Sequence, residues 1–324
     1  MNQLVLDIKK RLSLPLISAP MFLISGPELV ISACKAGIIG SFPTLNARPL
    51  AMLDEWMTLI SDSLAQAEEI NPGRIAPWAA NLIIHSSNER AEQDLDLVVK
   101  HRVPIVISAL GSPRKVVDRI HSYGGLVFSD VSSVDFAKKA ADAGADGLIL
   151  IAAGAGGHTG DMTAMSFVPA VREFFNGPIL LGGGIIDGRG VRAAEVLGAD
   201  FAYMGTRFIA TEECAASDAY KQMLVQSTIN DITLSSYFTG INANYLVPSI
   251  RQAGIDPSLL HKGNLHQKGP KIDFDQSDNE NKVWRDIWSA GQGVGNIKRV
   301  MPMADVVAQL KSEYLAACET PVSV

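Results

Sequence analysis

The sequence predicts an α/β chain folded as a closed (β/α)8 barrel, with an insertion or lid after the eighth strand. Three observations carry this. Eight short apolar runs alternate with helix-patterned stretches up to about residue 210. The runs are uninterrupted, as in parallel strands buried on both faces. No GxGxxG follows the first run, where an open dinucleotide-binding sheet would carry it.

The elements follow in order. Residues 16–20 (LISAP) form the first strand and 27–36 its helix; 38–42 (IIGSF) precede a longer helix over 49–69. Residues 79–84 (AANLII) lead to a polar helix near 89–101, and 104–108 (PIVIS) to a helix over 113–122. Proline in that helix's first turn sacrifices no hydrogen bond. The remaining strands are 126–130 (LVFSD), 147–151 (GLILI), 178–181 and 201–204, with helices at 134–143, 165–175 and 188–197 between them. Residues 211–290 break this rhythm. They hold a helix near 216–226, the stretch SSYFTGINANYL and a long polar tract. Because Tyr237, Phe238, Tyr245 and Leu246 need burial, this region is expected to pack as a lid or substrate-side subdomain rather than run as a linker. Residues 1–210 and 291–324 then make the barrel, closed by a tail helix with Val306, Val307, Leu310 and Leu315 at helical spacing.

Composition removes several function classes. Lys+Arg 28 against Asp+Glu 34 leaves a net charge of −6, which disfavours nucleic acid and anionic membrane as partners. No apolar run approaches the ~20 residues of a membrane helix. The opening segment MNQLVLDIKKRL carries charges within its apolar pattern and reads as no signal peptide. Cys34, Cys214 and Cys318 form neither a disulfide framework nor a metal knuckle, which suits a cytoplasmic protein without a metal site. Nothing in the sequence decides the oligomeric state, a homodimer included.

The segment richest in chemistry is AAGAGGHTG, residues 152–160, after the sixth strand at the catalytic mouth of a barrel. Gly156 and Gly157 let backbone pass close to a flat ligand and leave the His158 imidazole little to pack against. An imidazole suits proton transfer at neutral pH, and its simpler role would be to cap a turn. His85 follows the third strand and either lines the mouth or faces solvent. His101, His121, His261 and His266 are expected to be solvated.

Gly183 and Gly184 end the seventh strand, and Gly205 and Thr206 the eighth. Loops at these two strands commonly make a barrel's phosphate site, although either glycine run could be a plain turn. Ala19, Pro20 and Met21 give a rigid wall after the first strand, with a soft thioether for an aromatic ring. Asn81, an amide in an apolar strand, offers both donor and acceptor to a flavin's or nucleobase's edge, or bonds a neighbouring strand. Ser129 and Asp130 end the fifth strand as weaker candidates of the same type.

With PLISAPM, NL at Asn81, AGADGLIL leading to AGGHTG, GPILLGGGI, GADFAYMGTRF and AGQG, the chain resembles the FMN-dependent nitronate monooxygenases, or 2-nitropropane dioxygenases, in the family's order from about residue 14 to 295. The resemblance implies a TIM barrel that holds FMN non-covalently. Its phosphate would lie on Gly183, Gly184, Gly205 and Thr206, and its ring system near Ala19, Pro20, Met21, Asn81 and Ser129, with Gly156 and Gly157 at the edge. It also implies an alkyl nitronate or nitroalkane oxidised with O2 to a carbonyl compound and nitrite, with His158 as base. The chain departs from the family pattern in lacking the glutamine and glutamate of QGxEAGGH, and in carrying LVFSD where the fifth strand often ends in lysine. Two rival readings stand beside it: a flavin-dependent NAD(P)H enoyl-thioester reductase, which resembles the same family, and a flavin-binding barrel without catalysis. An IMP-dehydrogenase-like reading fails, because residues 152–162 contain no cysteine.

Overall fold

The computed structural model describes residues 3–260 and 285–319. Eleven strands lie in it: β1 (Leu16–Ser18), β2 (Gly40–Pro43), β3 (Trp78–Ile83), β4 (Ile105–Ala109), β5 (Leu126–Val131), β6 (Gly147–Ile151), β7 (Gly157–His158), β8 (Ile179–Gly182), β9 (Phe201–Met204), β10 (Ile232–Ser235) and β11 (Ala243–Leu246). Eight form one parallel sheet in the order β1-β9-β8-β6-β5-β4-β3-β2. A parallel bridge between Ile17 and Ile39 rejoins its ends, with Ser18 N donating to Ile39 O at 2.8 Å and Ile39 N to Leu16 O at 3.1 Å. The predicted barrel is therefore present.

Strand alternation separates two cores. Ile17, Ala79, Ile105, Ile107, Phe128, Ile149, Leu180 and Phe201 point into the barrel and fill it. The intervening residues, such as Ala80, Val106 and Val127, pack outward against the helices. Complete burial of a side chain of Leu, Ile or Phe size contributes about 1.5–3 kcal/mol, so both faces demand apolar residues. A helix over Gln3–Lys9, which the sequence reading did not include, adds Val5 and Ile8 to the interior core.

The eighth strand differs from the expected pattern, since only a four-residue helix (Thr206–Ile209) follows β9 at once. The outer helix position is taken by Met303–Cys318, which packs on the helix Gly188–Leu197. There is no room for a side chain at Gly188: a Cβ would lie 2.2 Å from both Leu310 O and Tyr314 N. Tyr314 donates to Glu195 Oε2 at 2.6 Å across the same contact.

The described part of 211–290 is packed. Phe238, Tyr245 and Leu246 are buried as expected, whereas Tyr237 is exposed and stands edge-on to Phe238. Tyr220 stacks on Trp288 at 4.8 Å, and its hydroxyl donates to Ser289 O at 2.5 Å. A second sheet, in the order β10-β11-β7, joins this region to the loop after β6. No described helix is long and apolar enough to cross a membrane.

Candidate active site

The C-terminal ends of the barrel strands open into a cavity of about 890 Å³, at the upper end of the ~300–1,000 Å³ usual for ligand pockets. Ala19, Pro20, Met21, Asn81, Ser129, Gly156, Gly157, His158, Gly183, Gly184, Gly205 and Thr206 all border it. The structure thus gathers these twelve residues, although several serve ends the sequence did not disclose and His85 is not among them.

After β1, Ala19 N donates to Met204 O at 2.9 Å, tying the turn to β9. Asn46 holds the rest of this turn: its amide donates to Met21 O (2.9 Å) and Ser25 O (2.8 Å), and its Oδ1 accepts from Leu23 N (2.8 Å). Nothing in the sequence pattern marked Asn46. The Asn81 amide donates to Ile107 O at 3.1 Å, the interstrand bond that was its simpler reading, and the residue also borders the cavity.

The loop after β6 is clamped rather than open. In β7, Gly157 pairs with Asn244 and His158 with Ala243 of β11. Asn244 donates to Ala155 O at 2.7 Å, and Thr159 N donates to Asn242 O at 3.0 Å. Gly156 borders the cavity and is also required by a chain contact. Its Cβ would lie 2.7 Å from Gly291 N, where the AGQG segment crosses the loop, Gly291 N donating to Thr206 Oγ1 at 2.9 Å and Gln292 N to Gly154 O at 3.0 Å. The His158 ring is covered by the inserted region, contrary to expectation. Nε2 lies 3.3 Å from Thr239 Oγ1, and burial holds the imidazole below its ordinary pKa by disfavouring the cation.

The loops after β8 and β9 have the form of an anion cradle. Among the described residues none accepts from the N–H of Gly183, Gly184 or Gly205. Gly184 sits at φ +68°, where a side chain would be strained, and a Cβ there would meet no atom within 4 Å. Open space beside unfilled backbone donors fits a phosphate group.

On β5, Phe128 points inward and Val127 outward, so alternation turns Asp130 into the barrel and Ser129 toward the helices. Asp130 is the carboxyl among the described cavity residues, beside one ammonium, Lys139, and one imidazole, His158. Its Oδ1 is sealed from solvent without a hydrogen-bond partner, and desolvation pushes its pKa up to about 7. The sequence offered Asp130 only as a weak candidate, and two-residue alternation from Phe128 was the signal that could have raised it. Lys139 stands 5.6 Å from the exposed Phe136 ring.

The other histidines lie elsewhere. His85 is exposed and bonds Ser87 at 2.8 Å, outside the cavity. His101 is not freely solvated but meets Asp54 at 2.5 Å, and His121 meets Asp146 at 2.8 Å. His261 and His266 fall outside the described residues.

Comparison with known proteins places this geometry. A family model described as nitronate monooxygenase matches residues 58–313. An octahydro-indene-carboxyl-CoA dehydrogenase of Rhodococcus jostii is 27% identical, over 78% of this chain and 66% of its own length, so the match spans just under two thirds of that relative. A nitronate monooxygenase of Neurospora crassa is also 27% identical, over 92% of this chain and 88% of its own. The structure of FabK from Thermotoga maritima superposes with a TM-score of 0.77 at 24% identity, covering 98% of both chains.

Proposed function

The chain belongs to the nitronate monooxygenase family of oxidoreductases, and from that premise we propose that it oxidises alkyl nitronates with O2 to a carbonyl compound and nitrite, using non-covalent FMN. The observation that carries the proposal is the meeting in one cavity of a backbone cradle with unfilled N–H donors and a covered, largely neutral imidazole. Bound flavin would supply the acceptor for the substrate's electrons and their route to oxygen.

The chain's own residues do the rest. Gly183, Gly184, Gly205 and Thr206 would hold the phosphate, while Ala19, Pro20, Met21 and Asn81 would wall the ring system, with Ser129 bordering it although its side chain faces the helices, and Gly156 and Gly157 would lie at its edge. The desolvated His158 stays neutral at pH 7, so its ring can accept the α-proton of a neutral nitroalkane. Because its pKa lies below the ordinary imidazole value, the base form persists as pH falls through that value and is lost only lower down. The described part of 211–290 acts in this reading as the lid: β11 orients the His158 loop and helps exclude water. A second reading is reduction of an enoyl thioester with NAD(P)H in the same cavity; the likeness to a carboxyl-CoA dehydrogenase supports only its thioester class of substrate. A third, a flavin-binding barrel without catalysis, would keep the cradle and make no use of the imidazole.

The test is an anaerobic visible spectrum before and after propyl-2-nitronate, followed by His158→Ala. We expect a flavin band that bleaches. The variant should keep its colour and its activity on preformed nitronate, yet lose about 10²–10⁴-fold on neutral nitroalkane. A band that bleaches only with NAD(P)H would transfer the proposal to the reductase, and unchanged turnover of nitroalkane would remove His158 as base. Absence of a reconstitutable flavin band would overturn the cofactor assignment.

A further inference from the structure

Asp130 has no role in the mechanism above, yet its position is unusual. It lies at the inward-facing end of β5, on the cavity wall, where Phe128 beneath it is fully buried in the barrel interior. Neighbouring strands offer it nothing polar on their inward faces: β4 presents Ile107 and Ala109, and β6 presents Ile149 and Ile151. The titratable or charged groups that share the cavity are Tyr203 on β9, His158 on β7, Lys139 on the helix Val134–Asp142 and Tyr220 on the helix Asp218–Gln226, a phenol that burial keeps neutral. Tyr203, raised mainly by its own burial and further by the Asp130 carboxylate, stays a neutral phenol. His158 is held toward neutrality as well.

A carboxylate in such a place would be an unpaired charge in an apolar wall, and burial of that kind is relieved by taking up a proton. Its Oδ1 is closed to solvent and has no protein partner, so nothing in the wall offsets a charge there. The residue keeps partial exposure where it borders the cavity, so Oδ2 is the oxygen a cavity ligand would meet. The open direction from Asp130 is the cavity itself.

We propose that Asp130 acts as a carboxylic-acid donor on the cavity wall, giving its O–H to an acceptor atom, a carbonyl oxygen or ring nitrogen, of a flat heterocyclic ligand. This rests on the flavin reading above, under which the ligand is the FMN ring system. A pKa near 7 makes the donor titratable in the working range: below it the acid binds the ligand's acceptor, and above it the carboxylate repels that acceptor.

The experiment measures FMN affinity of the full-length protein by flavin fluorescence between pH 5.5 and 9, for wild type and Asp130→Asn. The amide keeps a donor at every pH. The wild type should lose affinity about tenfold per pH unit above its transition, while Asp130→Asn stays within a few-fold of the wild type's acid limb throughout. A flat wild-type profile, or an equal fall in the variant, overturns the proposal and leaves the flavin reading intact. No FMN binding by the wild type at any pH overturns both. The carboxyl C=O infrared band, in a pH 5.5-minus-9 difference spectrum of the cofactor-free wild type, provides a readout that needs neither turnover nor the variant's folding. The band should be present at pH 5.5 and gone at pH 9, and its absence at pH 5.5 refutes a protonated Asp130.

Discussion

Substituting Gly184 by alanine separates the cradle from the fold. The residue's φ of +68° strains an alanine backbone by roughly 1 kcal/mol, but a Cβ there meets no atom within 4 Å. Folding should lose only that amount, a fall in Tm of about 1–2 °C for a chain of this size. The new methyl instead projects into the space beside the unfilled N–H groups of Gly183, Gly184 and Gly205. Displacing a phosphate from one charge-assisted hydrogen bond costs about 1.5–3 kcal/mol, or roughly 10- to 100-fold in Kd. Gly188→Ala is the contrasting change, since its Cβ would strike the Leu310 carbonyl and the Tyr314 amide at 2.2 Å. That variant should be much less stable, because the clash is with backbone of the tail helix rather than with open cavity. The assay is FMN titration beside a thermal melt for each protein. An unchanged FMN affinity in Gly184→Ala, together with the small loss in Tm, would refute the assignment of this loop as the phosphate cradle.

Two further outcomes are expected. Asp94 is fully buried between Arg90 Nη2 (2.9 Å) and Thr44 Oγ1 (2.8 Å), while Arg90 is part-exposed and keeps a bond to Ala47 O, so Asp94→Ala should cost about 1.5–3 kcal/mol in urea unfolding; a loss under about 0.5 kcal/mol would contradict that account. In the native protein only Cys318 should react with a thiol reagent, because burial pushes the Cys34 thiol up to about 12 and Cys214 up to about 11; equal rates for all three would show that the barrel's outer core opens readily.

The site was legible in the sequence where chemistry and local geometry coincide. The glycines of the β8 loop could be noticed in the chain itself, since the positive φ of Gly183 and Gly184 is a property of a few adjacent residues. Other residues had meanings set at a distance. Gly156 was read as clearance for a ligand, and it also gives clearance for Gly291, 135 residues further on, a contact invisible to local pattern. His158 looked open because its neighbours are small, yet Thr239 and β11 cover it. Ser129 and Asp130 are adjacent and both polar, and only the strand's inward and outward faces tell them apart.

By itself the sequence determined the eight barrel strands and most of the helices between them, though not the helix Gln3–Lys9 or the strands β7, β10 and β11. Run length, period and turn residues report the side of each element that must leave water, and the count of eight βα runs favoured a closed barrel over an open sheet. Only the tertiary structure decided which distant elements meet: the tail helix beside Gly188–Leu197, the AGQG segment over the β6 loop, and β11 against His158. Apolar burial is non-directional, so a pattern of buried faces does not name its partners. Those partners set the burial of His158 and the isolation of Asp130, and with them the proton chemistry available in the cavity.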